Sequence, residues 1–192
     1  MNVIPQPNEP DVVWVVDGNH PWHDALTWMD QFRGNTVAVT DVKGLVSACA
    51  SKSITKTRQI RFLSIFGHGM GGYQSVGAGK KFEVTGTKSL HFSIAGGHGR
   101  SELSGPAEQS LRRLNGLLRK DATILLAGCN VGEGEKGSGL LTSVSKILNG
   151  RPVQAYTSQV YWWTGYMFGT LKEARSEKIA SKPMTYSINP YF

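Results

Sequence analysis

Three short apolar runs constrain this chain more than anything else in it: Val12-Val13-Trp14-Val15-Val16, Ile60 to Phe66, and Ala122 to Ala127. Each is shorter than an ordinary helix and apolar almost throughout, with no polar residue at alternate positions. That pattern belongs to a strand buried on both faces. Strands of that kind pair in parallel, and parallel pairing needs a long crossover between partners. Each run also stops abruptly at glycine: at Asp17-Gly18, at Gly67-His68-Gly69 and at Gly128-Cys129-Asn130.

The segments between these runs supply the crossovers. His20-Pro21 opens a predicted helix through roughly Phe32, with Pro at a first-turn position that needs no N–H. Thr36 to Thr40 reads as a strand, and Asp41 caps a helix through about Ser51. Residues 71–98 are Gly-rich with alternating stretches, Lys81 to Val84 and His91 to Ile94, which predict a hairpin or small sheet added at an edge. Ser104-Gly105-Pro106 starts a helix with Leu111, Leu114, Leu117 and Leu118 on one face, carrying Arg112, Arg113, Arg119 and Lys120. A later helix aligns Leu140, Leu141, Val144, Ile147 and Leu148 and stops at Asn149-Gly150. Pro152 to Thr157 is a fifth strand. Beyond Trp162, Trp163, Tyr166 and Phe168, in a strand or hairpin, the pattern predicts helix around Leu171 to Ile179, then an extended tail. The first ten residues, with Pro5, Pro7 and Pro10, read as an extended arm. The alternation as a whole predicts one α/β domain over residues 1–192, with a mostly parallel central sheet and helices on both faces.

Composition narrows the function classes. Apolar residues are 40% and charged residues 18% of 192, an ordinary globular balance. No apolar run reaches the ~18 residues of a membrane span. The opening MNVIPQPNEP has neither a basic start nor an apolar core, so no signal peptide is expected. Two cysteines, Cys49 and Cys129, are too few for a disulfide scaffold. The expectation is a cytoplasmic protein, or one delivered by a secretion system that reads no signal peptide. The net charge of +7 is dispersed along the chain, for example at Lys52, Lys56, Arg58 and Arg61 and again at Lys80 and Lys81. Dispersion favours a solvated surface over a nucleic-acid interface, which would betray itself by steep salt dependence.

Chemistry concentrates where two buried strands end. In open α/β sheets the site lies beyond the carboxyl ends of the strands. One apolar strand delivers His68 and another delivers Cys129, each flanked by glycine. Neighbouring parallel strands would bring them to one edge, thiol as nucleophile and imidazole as base. The N–H groups of Gly69 and Cys129 could meet a developing oxyanion, and a following helix N-terminus would favour a thiolate. His98, in Gly96-Gly97-His98-Gly99, is the rival base, but it follows a short polar segment. Cys49 sits in an apolar helical stretch and reads as core. His20 and His23 make only a weak pair, and the tight ligand spacing of a zinc site is missing. Gly77-Ala78-Gly79-Lys80-Lys81 fails as a phosphate loop, because position 74 is Gln and no Ser or Thr follows Lys80. No metal and no cofactor are therefore expected.

The pairing of Ile65-Phe66-Gly67-His68-Gly69 with Leu125-Leu126-Ala127-Gly128-Cys129 resembles the caspase-like (clan CD) cysteine peptidases, closest to bacterial members, over about residues 12–160. The resemblance implies a three-layer sandwich, a His68–Cys129 dyad, the Gly69 amide in the oxyanion hole and a protein or peptide substrate. It implies that Asp17, ending the first strand, helps form the pocket for the residue before the scissile bond and favours Lys or Arg there. Trp162 and Trp163 would line neighbouring pockets; the plainer readings are a turn for Asp17 and an aromatic core for the tryptophans. There are departures. The caspase Gln-Ala-Cys-x-Gly signature is absent. Ala127 stands where clostripain-like members carry Asp. Sixty-one residues separate His68 from Cys129, more than the ≈ 50 of caspases. Bacterial toxin or effector and intracellular regulatory protease are both consistent with the sequence, and an effector implies an inhibitor or immunity protein as partner. The alternative is an inactive caspase-like domain that serves as a binding scaffold.

Overall fold

The apolar runs become the centre of a seven-stranded sheet. The computed structural model describes residues 4–5, 8–18, 36–56, 59–76, 91–95, 100–101, 106–160 and 166–187. The sheet contains β1 (Val12–Asp17), β2 (Thr36–Val39) and β3 (Ile60–Phe66). Two pairs of short strands follow, β4 (Gly69–Met70) with β5 (Tyr73–Ser75) and β6 (His91–Ala95) with β7 (Arg100–Ser101), in a separate four-stranded antiparallel sheet. The large sheet resumes with β8 (Leu118–Leu126), β9 (Val153–Tyr156), β10 (Tyr166–Arg175) and β11 (Lys178–Ser187), and its spatial order is β11-β10-β9-β8-β3-β1-β2. From β2 across to β9 every pairing is parallel, and β10 and β11 close the far edge as an antiparallel hairpin. The helices are α1 (Val42–Lys56), α2 (Pro106–Arg113) and α3 (Gly134–Ile147).

Period-two alternation sends side chains to two cores. Val13, Val15, Leu63, Ile65, Ile124, Leu126, Val153 and Ala155 face one side, where Leu45 and Cys49 of α1, Leu111 of α2 and Leu140 and Val144 of α3 cover them. Val12, Trp14, Val16, Phe62, Phe66, Leu125 and Tyr156 face the other, with Ile4 and Val160 packed on them. The central strands are therefore buried on both faces, as their composition predicts. All three described helices lie against the first face. The helix predicted after His20 falls outside the described residues.

Asp41 caps α1 as predicted, its carboxylate accepting the Gly44 N–H at 2.5 Å. Two other expectations need correction. The helix over Leu111 to Leu118 is shorter than its leucines suggest: α2 ends at Arg113, a 3-10 turn spans Leu114–Gly116, and Leu118 already belongs to β8. Arg119 and Lys120 thus ride on a strand. The polar Arg-Lys-Asp stretch conceals it, because those residues lie where β8 slips register against β3 between Ile60 and Phe62.

The predicted helix around Leu171 to Ile179 is instead the β10–β11 hairpin, turning at Ser176 with φ 53°. Leu171 and Ala174 are both buried, which mimics a helical stripe. Three residues apart in a strand they point to opposite faces, and each duly joins a different core. Pairing with β9, Leu171 opposite Tyr156 and Ala174 opposite Val153, outweighs the helix propensity of Lys-Glu-Ala-Arg. The Gly-rich region forms the small sheet expected of it, separate from the large sheet, and residues 77–90 (with the Lys81 to Val84 stretch) and 96–99 lie outside the described residues.

Part of the positive charge is paired on the surface. Arg61 reaches Glu9 at 2.6 Å and Asp11 at 3.0 Å, Arg112 meets Glu108 at 2.5 Å, and Lys146 meets Glu177 at 2.9 Å. Among the described residues no helix is long and apolar enough to cross a membrane.

Candidate active site

Parallel pairing places the ends of β1, β3 and β8 on one edge of the sheet. Val16 stands opposite Phe66 and Ile65 opposite Leu126, so Asp17, Gly67 and Gly128 leave the sheet side by side. Ala127 still donates to the Ile65 carbonyl at 2.8 Å, which carries the β3–β8 pairing to the last residue before Gly128. His68 and Cys129 therefore sit on adjacent strand-end turns. Both are partly exposed.

The two turns touch backbone to backbone, and glycine makes that contact achievable. A methyl group on Gly69 would lie 2.6 Å from the Cys129 carbonyl oxygen and 2.8 Å from the Gly128 carbonyl carbon. One on Gly128 would lie 2.9 Å from the Gly69 Cα. Neither position has room for a side chain. Further along, Gly72 donates to the Val131 carbonyl at 3.1 Å, which seats the β4–β5 turn on the loop after Cys129.

Two buried residues of β5 lock the arrangement. Gln74 is fully buried; its side-chain oxygen accepts the Gly128 N–H at 2.9 Å, and its amide donates to the Ser75 carbonyl at 2.8 Å. Ser75 holds His68 from both sides. Its hydroxyl oxygen accepts the His68 N–H and its own N–H donates to the His68 carbonyl, each at 2.8 Å. The Ser75 hydroxyl in turn donates to the Asp17 carboxylate at 2.5 Å. Sequence reading missed both residues. Two adjacent polar side chains in a short Gly-flanked segment carry no periodic signal, and their partners lie far away in the chain.

The Cys129 turn is equally determined. Asn130 takes the left-handed conformation, φ 58°, which Asn tolerates better than most residues. Its N–H donates to the Ser158 carbonyl at 2.9 Å, and Gly132 donates to Tyr156 at 2.8 Å, so the loop lies across the end of β9. The Val160 N–H points at the Cys129 sulfur from 3.4 Å. Helix α3 begins at Gly134, beyond a loop that intervenes after the cysteine.

Among the described residues no acceptor meets the Cys129 N–H. Because Ser75 donates to His68, Gly69 and Gln74 form the next, non-hydrogen-bonded pair of the β4–β5 ladder. In such a pair the N–H turns away from the partner strand. The Gly69 nitrogen accordingly lies on the Gly128 side of the hairpin, 3.0 Å from where a methyl on Gly128 would stand.

Burial pushes the His68 imidazole below its ordinary value, against the pull of the Asp17 carboxylate, which favours the charged ring. Asp17 itself is 3% exposed. Cys49 is 0% exposed in the first core, and burial pushes its thiol up to about 12, which makes it an inert core residue as the sequence suggests. Trp162, Trp163, His98, His20 and His23 lie outside the described residues. Among the described residues no three His, Cys, Asp or Glu side chains gather where a metal ion could bind.

A family of domains described only as of unknown function, DUF4347, matches residues 33–160, about two thirds of the chain. That span includes β2, β3, β8 and β9 and both strand-end turns. No curated protein and no solved structure matches the chain.

Proposed function

We propose that this chain, which belongs to the DUF4347 family, is a cysteine peptidase with a caspase-like three-layer build, using Cys129 as nucleophile and His68 as general acid and base. The observation that supports this most is the clamped pair of strand-end turns, one carrying His68 and the other Cys129, held backbone to backbone at Gly69 and Gly128. The sheet order, with β2 and β1 beyond β3 and with β8 and β9 on its other side, supports the same reading.

The chemistry follows from the placement. Partial burial holds the imidazole below its ordinary 6.5, which favours the uncharged ring at neutral pH. The ring takes the Cys129 proton as sulfur attacks the peptide carbonyl, and the oxyanion settles against the Gly69 and Cys129 N–H groups. His68 then gives that proton to the departing amine, leaving an acyl-enzyme. Water attacks the thioester with His68 as base, which releases the carboxylic acid and restores the thiol.

Cys129→Ala abolishes peptide cleavage and labelling by an electrophilic peptide on this reading. Cleavage retained in that variant would falsify it. An inactive scaffold predicts instead a Cys129 alkylation rate no faster than that of a model thiol. Within the peptidase reading the substrate is a protein or peptide, and a bacterial toxin or effector role implies an inhibitor or immunity protein. Expression inside a bacterium tests that role: toxicity lost only in Cys129→Ala supports it.

A further inference from the structure

We propose that Asp17 is a positioning residue for His68, acting through the Ser75 hydroxyl, and that it does not contact substrate. The inference rests on the peptidase reading of His68 and revises what the family resemblance implies for Asp17.

The geometry is a continuous chain. Asp17 is the last residue of β1 and leaves the sheet beside Gly67, one residue from His68. Its carboxylate accepts the Ser75 hydroxyl at 2.5 Å, and that same hydroxyl oxygen accepts the backbone N–H of His68 at 2.8 Å, which fixes the turn that carries the ring. With its one proton given to Asp17, the Ser75 hydroxyl must present a lone pair to His68, so the carboxylate sets the direction of the whole bridge. Gly67 lets Ser75 approach: a methyl there would lie 2.5 Å from the hydroxyl oxygen. Asp17 and Ser75 are each 3% exposed and Gln74 is 0% exposed, which walls the carboxylate off from a substrate side chain.

A buried charge so held also acts through space. An anion near an imidazole stabilises the imidazolium that forms when Cys129 gives up its proton. Among the described residues, the elements beside the His68 turn carry the titratable groups Asp17 on β1, Tyr73 on β5 and Cys129 on the turn after β8. Glu133 and Lys136 lie beyond Gly71 and Gly72 on the far side of the β4–β5 turn. Of these, Asp17 is the one whose charge bears on the ring.

The test uses the full chain and the variant Asp17→Asn, which keeps an acceptor for Ser75 and removes only the charge. The ring resonances of His68 are titrated by NMR, which needs no substrate. The peptidase reading can therefore fail at Cys129→Ala without touching this result. The expected outcome is a His68 midpoint moved to lower pH, with kcat/KM about tenfold lower and KM nearly unchanged. The His68-dependent limb of the rate profile should move with the midpoint. An unmoved His68 midpoint would overturn the proposal. So would a selective loss of peptides with Lys or Arg before the scissile bond, since that marks a pocket wall. Should Asp17→Asn fail to fold, Ser75→Ala takes its place: an unchanged His68 titration together with unchanged kcat would equally overturn it.

Discussion

The side-chain oxygen of Gln74 accepts the backbone N–H of Gly128 at 2.9 Å, so a residue of the His68 hairpin fixes the peptide that leads into Cys129. The bond spans 54 residues of sequence and joins the two halves of the candidate site. Without it the Gly128 N–H would be buried and unpaired.

Gln74→Ala should therefore destabilise the protein by about 1–3 kcal/mol, the penalty for an orphaned buried donor, with a further loss from the cavity. Urea unfolding reads the stability. Cys129 alkylation by iodoacetamide reads the site, and it should slow in the same variant. Unchanged stability and unchanged alkylation together would contradict the bridging role.

Gly69→Ala should disable the site, because the added methyl meets the Cys129 carbonyl oxygen at 2.6 Å and the Gly128 carbonyl carbon at 2.8 Å. Both are backbone atoms, so the two turns must part, at about 1–3 kcal/mol of overpacking. Gly116→Ala is the matched control. Nothing lies within 4 Å of the methyl there, and its stability should stay within about 0.5 kcal/mol of the parent. Parallel thermal unfolding and alkylation of the two variants separate the cases.

The two thiols should react very differently. Cys129 is partly exposed, whereas Cys49 is sealed on the inner face of α1 with its thiol pushed up to about 12. The thiolate is the reacting form, so iodoacetamide at neutral pH should modify Cys129 alone in the folded protein and both in urea. Peptide mapping by mass spectrometry checks the assignment. Labelling of Cys49 in the folded state would mean that the first core is open.

Acidification should weaken the fold through His68. Its folded-state value lies below the ordinary 6.5 because burial disfavours the charged ring. As pH falls below 6.5 the unfolded chain binds the proton before the folded one does. The stability tied to a neutral His68 is thus fully present above that pH and is lost as pH falls through the folded value. Urea midpoints from neutral to mildly acid pH should decline, and His68→Gln should flatten part of the decline. An identical slope in that variant would assign the effect to other groups.

The strand-end motifs were legible because composition and glycine placement are local. Val12–Asp17, Ile60–Phe66 and the end of β8 announce themselves as doubly buried strands. Gly67, Gly69 and Gly128 mark where the backbone must turn or crowd. Other elements hid because their signals were ambiguous at short range. Leu171 and Ala174 carry helical spacing yet lie in a strand, and Arg119 to Asp121 are charged residues on a strand that only its partner β3 reveals.

The amino-acid order by itself determined the class of fold, the identity of the central strands and the two turns that carry imidazole and thiol. Apolar burial and glycine's freedom act on neighbouring residues, so they can be read along the chain. Only the tertiary structure decided that β3 and β8 are adjacent, that Gln74 and Ser75 brace both turns, and that Asp17 lies sealed beneath them. Those relationships are hydrogen bonds and close contacts between segments dozens of residues apart. They exist once the sheet has paired, and no local pattern encodes them.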